Sequence, residues 1–129
     1  MGFIFKINEN EIVYITDTGK IPAKTKRFIK NKEFYIMESN YDEEMLMESP
    51  RPLFLKNRIK SIHGHLSNLQ ANIYLNELIG SNTKGIALAH ISEECNCDSK
   101  IAANLEDFSL DIVTFFKQWE ATVIVYDEN

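Results

Sequence analysis

The sequence is poor in the residues that build disulfides and cysteine-rich zinc sites. Its 129 residues include two cysteines, Cys95 and Cys97, and their spacing suits neither an ordinary disulfide nor a zinc knuckle. No apolar run approaches the roughly 20 residues that span a bilayer, and the first residues do not have the pattern of a secretion signal. We therefore expect reduced thiols, a cytoplasmic location and no membrane partner.

Surplus positive charge is also lacking. The formal net charge of −5 and the pI of about 5.2 exclude nucleic-acid binding through net charge alone. The basic residues concentrate in residues 20–32, at Lys20, Lys24, Lys26, Arg27, Lys30 and Lys32. Both a solvated surface and a patch that faces substrate fit this cluster.

The length limits the organisation of the chain. With 44% hydrophobic residues, 129 residues can bury one core and are too few for two ordinary domains. We expect a single domain over residues 1–129.

The distribution of apolar and turn-forming residues predicts an α/β fold. Strands are predicted at residues 3–7, 11–16, 33–37, 85–90 and 122–126, with the strand at 85–90 buried on both faces. Helices are predicted within 20–32, over 43–48 and 53–61, from Ser67 or Asn68 to about Gly80, from near Lys100, and from Ser109 to Trp119.

Side chains that can bind metal follow two of these strands. Asp17 comes directly after the second strand, and His90 ends the apolar run 85–90. Strand ends that open into loops are common positions for active-site groups. The residues alone also fit a turn carboxylate at Asp17 and a core histidine at His90. The acidic side chains that follow His90 can support a metal or be solvated, and solvation is favoured for Glu94 and Asp98.

Two further histidines, His63 and His65, flank Gly64 shortly before Ser67. In an extended segment, residues two apart point to the same side, so this pair can chelate one metal ion. The same segment can place one imidazole and the N-terminus of the next helix around a phosphate. The spacing leaves both interpretations open.

Several segments together resemble the second half of a metallo-β-lactamase-fold hydrolase. They are YITDTG at residues 14–19, ESNYDEEML at 38–46, GHLSN at 64–68 and AHISEECN at 89–96. The resemblance is to the YycJ/WalJ-type family, whose members are nuclease-like, and it covers the chain from about residue 2 to the end. It implies half of an αββα sandwich, in which one mixed β-sheet carries helices on one face.

The resemblance also implies roles for individual residues. Asp17 corresponds to the bridging aspartate of a two-metal site that holds zinc or manganese, and His90 corresponds to its final histidine. His65 and Ser67 belong to the GHLSN segment, which is expected to contact the substrate phosphate or stabilise the leaving group. The family's HxHxDH motif has no counterpart among the three histidines of this sequence, so the metal site of this chain is expected to be partial or absent.

The activity that the resemblance implies is metal-dependent hydrolysis of phosphodiesters or nucleic acid. Because the HxHxDH half is missing, we expect a truncated chain that is inactive or incomplete alone. Half a sandwich leaves one apolar sheet face open, which predicts a homodimer or a complementary N-terminal half on another chain. The alternative function is a noncatalytic module that dimerises or binds a partner through the half-fold.

Overall fold

The structure is a computed structural model that describes residues 2–104 and the backbone of residues 113–117. The strands are β1 (Gly2–Ile7), β2 (Asn10–Ile15), β3 (Phe34–Glu38), β4 (Gly85–Ile91) and β5 (Val113–Lys117). The helices are α1 (Ala23–Ile29), α2 (Glu43–Glu48), α3 (Leu53–Lys60), α4 (Asn68–Leu78) and α5 (Asp98–Ala103). The predicted α/β class is confirmed. The assignment of residues 1–129 to a single domain stays a prediction.

The predicted helix from Ser109 to Trp119 is wrong over residues 113–117, which form β5 and pair with β4 in parallel. The run VTFF within this strand consists of β-branched and aromatic residues, which favour a pleated sheet. This preference outweighs the capping signal of Ser109. The remainder of the predicted helix and the strand predicted at 122–126 lie outside the described residues.

The strands form one mixed sheet in the order β1-β2-β3-β4-β5. β1 and β2 form a hairpin with the two turn residues Asn8 and Glu9. Both have positive φ, as is required in the two-residue turn that matches the right-handed twist of the strands. The strands from β2 to β5 are parallel, and each lies beside the one before it. Because crossover connections are right-handed, a sheet that grows in one direction receives its helices on one face.

The helix-covered face holds the main core. Its strand residues are Val13, Ile15, Tyr35, Met37, Ile86 and Leu88, which pack with Ile29 of α1, Leu75 and Leu78 of α4, and Ile101 of α5. All of these side chains are buried. The Tyr35 hydroxyl donates to the Ile29 carbonyl at 2.7 Å and accepts from the Lys32 N–H at 3.0 Å. Burial raises the pKa of Tyr35 above its usual value.

The opposite face of the sheet, which we call the open face, is apolar as well. Strand register places these side chains on it: Phe3, Phe5, Ile7, Ile12, Tyr14, Phe34, Ile36 and Ala87. Phe3, Phe5 and Ile7 are 48%, 49% and 56% exposed. A shallow groove of about 210 Å³ runs between Ile12, Phe34, Ile36 and Ala87. Within the described residues, the predicted half-sandwich with one open apolar face is confirmed, whereas the homodimer stays a prediction.

No helix in the described part of the chain is both long and apolar enough to cross a membrane.

Candidate metal centre

The polar side chains of the candidate site lie at the carboxyl ends of three parallel strands. Asp17 follows β2, Glu38 is the last residue of β3, and His90 lies one residue before the end of β4. Parallel strands bring their carboxyl ends to the same edge of a sheet, where ligands of α/β proteins commonly bind. Both strand-end residues that the sequence singled out, Asp17 and His90, therefore lie at this edge.

Asp17 and His90 both have left-handed backbone conformations. Their φ angles are 55° and 56°, in a region that aspartate and histidine enter more readily than most side chains. At His90 the β4–β5 pairing is irregular between Leu88 and Ile91, so one residue leaves the regular alternation of the strand. These conformations turn two side chains out of their strands and toward the same space.

His65 reaches the site from the loop between α3 and α4, and glycines allow the close contacts of that loop. A Cβ on Gly64 would lie 2.2 Å from the Ile59 carbonyl oxygen, and the His65 N–H donates to that same oxygen at 2.8 Å. A Cβ on Gly19 would lie 1.8 Å from the carbonyl oxygen of Ser61. Only glycine fits at these positions, where the loops that carry Asp17 and His65 meet.

Asp17, Glu38, His65 and His90 form one cluster, with one potential ligand atom of each within 4.8 Å of the others. The Oδ1 atom of Asp17 lies 3.5 Å from His90 Nδ1 and 3.9 Å from His65 Nδ1. The two imidazole rings are tilted against each other, with centroids 5.1 Å apart. The strand ends and the GHLSN loop thus converge on one small volume.

Glu38 holds this cluster together. Its side chain is completely buried, and Oε1 interacts with Nδ1 of His90 and, at 2.8 Å, with Nδ1 of His65. The second oxygen, Oε2, accepts a hydrogen bond from the Leu66 N–H at 3.0 Å. Burial acts to raise the pKa of Glu38, but the hydrogen bonds from His65, His90 and Leu66 outweigh it and lower the pKa below its usual value.

Sequence reasoning missed Glu38. Its segment was interpreted as a polar exit from the third strand, and nothing in that segment indicated that the carboxylate would be buried. The available signal was positional, because Glu38 ends a strand just as Asp17 and His90 follow or end theirs.

The carboxylate of Glu38 also changes the protonation of its partner His90. The hydrogen bond to Glu38 raises the pKa of His90, burial opposes this, and the negative charges of Glu38 and Asp17 raise it further. The raised pKa favours the protonated imidazole, and a metal cation that neutralises the same carboxylates can displace this proton.

Two imidazoles and the carboxylate of Asp17 are donors that suit a divalent metal ion. Ligand atoms on one ion at about 2.0–2.2 Å lie within roughly 4.4 Å of one another, which is close to the spacing found here. Carboxylates that hold the other nitrogen of a ligating histidine are a common feature of such sites, and Glu38 is placed for that role. The residues present therefore fit a divalent metal.

The histidine pair around Gly64 is divided by the structure. His65 belongs to the cluster, whereas His63 is exposed and outside it. His63 and His65 are thus not arranged to chelate one metal ion together. The interpretation that assigns one of the two imidazoles to the site agrees better with the structure.

Ser67 is not part of the cluster. It is the N-cap of α4, where its hydroxyl accepts from the Gln70 N–H at 3.1 Å and donates to Glu43 at 3.3 Å. Its side chain is fully buried. Ser67 therefore has a structural role at the start of α4. Its contact with a substrate phosphate stays a prediction.

A buried amide network fixes the loops behind the cluster. The Asn68 side chain accepts from the Ser39 hydroxyl at 2.7 Å and exchanges hydrogen bonds with the Asn96 amide. Next to it, the Asn40 amide donates to the His90 carbonyl at 2.7 Å. These bonds connect the ends of β3 and β4 with the start of α4, so the positions of Glu38 and His90 are coupled.

Comparison with known proteins places this geometry in context. The chain is 38% identical over 96 residues to exodeoxyribonuclease YycJ of Bacillus anthracis, which is 74% of this chain and 36% of that protein. It is 35% identical over 92 residues to exodeoxyribonuclease WalJ of Streptococcus pneumoniae serotype 2 strain D39, which is 71% of this chain and 34% of that protein. The chain thus spans about a third of the length of these curated relatives. No protein-family model matches it.

A solved structure supports the fold. The metallo-beta-lactamase fold protein YhfI from Bacillus subtilis matches with a TM-score of 0.61 at 17% identity, over 90% of this chain and 41% of that chain. At this identity the likeness establishes the fold alone.

Proposed function

Because the chain belongs to the YycJ/WalJ-type family of metallo-β-lactamase-fold hydrolases, we propose that it supplies part of a metal-dependent site that hydrolyses phosphodiester bonds in nucleic acid. The observation that carries the proposal is the convergence of Asp17, Glu38, His65 and His90 at one edge of the sheet. The curated relatives of the chain are named exodeoxyribonucleases, which is why we favour DNA as the substrate.

Asp17 and His90 are the metal ligands in this proposal. Asp17 is 56% exposed at the side chain, so its carboxylate is open to a second ligand or to a second ion. Glu38 orients the imidazole of His90 from behind and compensates positive charge. A bound divalent metal would supply Lewis-acid activation of water and of the phosphate oxygens.

His65 acts on the substrate rather than on the metal. Its ring is 29% exposed and is held by Glu38 at 2.8 Å, so one nitrogen is fixed while the other edge faces outward. In this position the imidazole donates a hydrogen bond to a phosphate oxygen, or a proton to the leaving oxygen.

The remaining ligands of a complete centre must come from polypeptide that covers the open face. We favour the complementary half of the sandwich as its occupant, because the fold neighbour is matched over only 41% of its length. This half can be carried on the same polypeptide or on another one. In its absence, we expect the apolar face to pair with the same face of a second copy.

The alternative function is a noncatalytic module that dimerises or binds a partner through the open face. The exposure of Phe3, Phe5 and Ile7 favours it, since contiguous apolar surface of this kind commonly marks an interface. Metal binding discriminates between the two functions, because an assembly module has no need of metal ligands such as Asp17 and His90.

The test is titration of the metal-free chain with Zn²⁺ or Mn²⁺ by calorimetry. We expect binding by the wild type and a loss of affinity of at least about tenfold in Asp17→Ala and in His90→Ala. His63→Ala is the matched control, because His63 lies in the same loop region but outside the cluster, and its affinity should equal that of the wild type.

Unchanged metal affinity in Asp17→Ala or His90→Ala would remove that residue from the ligand set. A wild-type chain that binds no metal but forms a stable assembly would favour the noncatalytic module. A loss of metal in His65→Ala would move His65 from the substrate role to the ligand set.

A further inference from the structure

A pocket of about 240 Å³ opens beside the candidate metal centre. Its lining includes His65 and His90 of the cluster, and its other polar residues are Asn40, Arg51, Ser92, Glu93 and Glu94. Its volume is near the lower end of ordinary ligand pockets, which are about 300–1,000 Å³. A substrate whose reacting phosphate lies at the metal centre must pass its neighbouring groups through such a space.

Arg51 is the cationic side chain of this lining that the proposed chemistry does not use. It lies between Pro50 and Pro52, whose rings restrict the backbone on both sides and so limit where the side chain begins. Its side chain is 28% exposed, which shields the guanidinium partly from water. The position is therefore pre-organised and only partly solvated.

The guanidinium has unused hydrogen-bonding capacity. Within the described residues its one hydrogen bond is to Glu94 Oε2 at 3.3 Å, and the Glu94 side chain is 71% exposed. A guanidinium offers five N–H donors, and its fork geometry matches a phosphate. A single contact to an exposed carboxylate is a weak interaction that a phosphate can replace.

We propose that Arg51 binds a phosphate of the nucleic-acid substrate next to the phosphate that is cleaved. The inference rests on the proposed function, because the metal centre defines where the cleaved phosphate lies. Glu94 competes with the substrate for the same guanidinium and holds it in position while the pocket is empty. Arg51 is thus a substrate-binding residue that sets the register of the strand relative to the metal centre.

The test uses the metal-free chain and a 5′-phosphorylated dithymidine as the probe, with the backbone N–H signals of the pocket residues Asn40 and Ser92 followed by nuclear magnetic resonance. We expect a saturable shift of these signals. Arg51→Gln should weaken binding about tenfold or more, because a charge-assisted hydrogen-bonded contact is lost. Arg51→Lys should fall between, since lysine keeps the charge but not the fork.

Glu94→Gln should strengthen binding of the same probe by up to about fivefold, because it removes the competing carboxylate. Arg27→Gln on α1 is the matched control and should bind like the wild type, since Arg27 is a charge of the same kind away from the pocket.

Equal affinity in the wild type and Arg51→Gln, no saturable shift in the wild type, or an equal loss in Arg27→Gln would overturn the inference. The two proposals fail separately. Metal binding that depends on His90 together with probe binding that ignores Arg51 rejects only the inference. Probe binding that depends on Arg51 in a chain that binds no metal rejects only the metal centre.

Discussion

The two faces of the sheet are made of similar residues but have different surroundings. Within β3, Tyr35 and Met37 of the helix-covered face are at most 1% exposed, whereas Phe34 and Ile36 of the open face are only partly buried. The crossover rule explains the difference, because parallel strands added in one direction receive their helices on one side. The apolar character of a sheet face therefore predicts that the face is covered. The topology decides which of the two faces is covered by the helices of this chain.

The largest effect on stability is expected from the covered face. Leu88→Ala removes a buried side chain from the main core and should lower the free energy of unfolding by about 2–5 kcal/mol. Ile36→Ala on the open face is the matched control and should cost less than about 1.5 kcal/mol in the isolated chain. Urea unfolding measures both. Equal losses would mean that the open face is already packed in the isolated protein.

A smaller effect is expected from a single hydroxyl. Tyr35→Phe leaves the Ile29 carbonyl and the Lys32 N–H without their partner and should cost about 1–3 kcal/mol. Tyr14→Phe on the open face is the control and should be close to neutral. A loss of equal size in Tyr14→Phe would contradict the comparison of the two faces.

The same hydroxyl predicts a pH dependence. Because burial raises the pKa of Tyr35 above 10.0, the folded protein keeps this proton to higher pH than the unfolded chain does. Its contribution is complete below pH 10.0 and decreases as the pH rises above that value. Urea unfolding across this range should show a shallower decrease in Tyr35→Phe than in the wild type. Identical slopes would mean that Tyr35 does not contribute to the decrease.

The smallest effect on the stability of the isolated chain is expected from Phe5→Asp, within about 0.5 kcal/mol, since Phe5 is 49% exposed. Its effect on association should be large, because a carboxylate in the middle of the open face must be desolvated when two copies pair. Sedimentation across a dilution series should show a wild-type dimer and a Phe5→Asp monomer. Phe28→Asp on α1 is the control and should remain dimeric.

A monomeric wild type would remove the homodimer and leave the complementary half as the occupant of the open face. A Phe5→Asp variant that still dimerises would place the interface elsewhere on the molecule.

The strand ends were the part of the site that could be predicted. Asp17 and His90 follow apolar runs whose period identifies strands, and parallel pairing brings such ends together. Glu38 also ends a strand, but its burial could not be predicted, because it depends on imidazoles that arrive from 27 and 52 residues further along the chain. Arg51 was missed for the same reason, since its pocket forms only when separate loops meet.

Local signals were reliable where only neighbouring residues decide the outcome. The start of α4 was predicted at Ser67 or Asn68, because an N-cap side chain acts only within one turn, and Ser67 is the N-cap found. The strand β5 was not, because its pairing with β4 depends on a distant partner and its aromatic residues also fit a helical spacing. Contacts between residues that are distant in the sequence could not be predicted in this way.

The left-handed backbone at Asp17 and His90 has an evolutionary consequence. Each of these residues holds a conformation that costs on the order of 1 kcal/mol for a side chain other than glycine. Glycine at either position would relieve that strain and, under the proposed function, would also remove a metal ligand. Selection for thermal stability alone would favour glycine at both positions, so aspartate and histidine are expected there only if their side chains are needed.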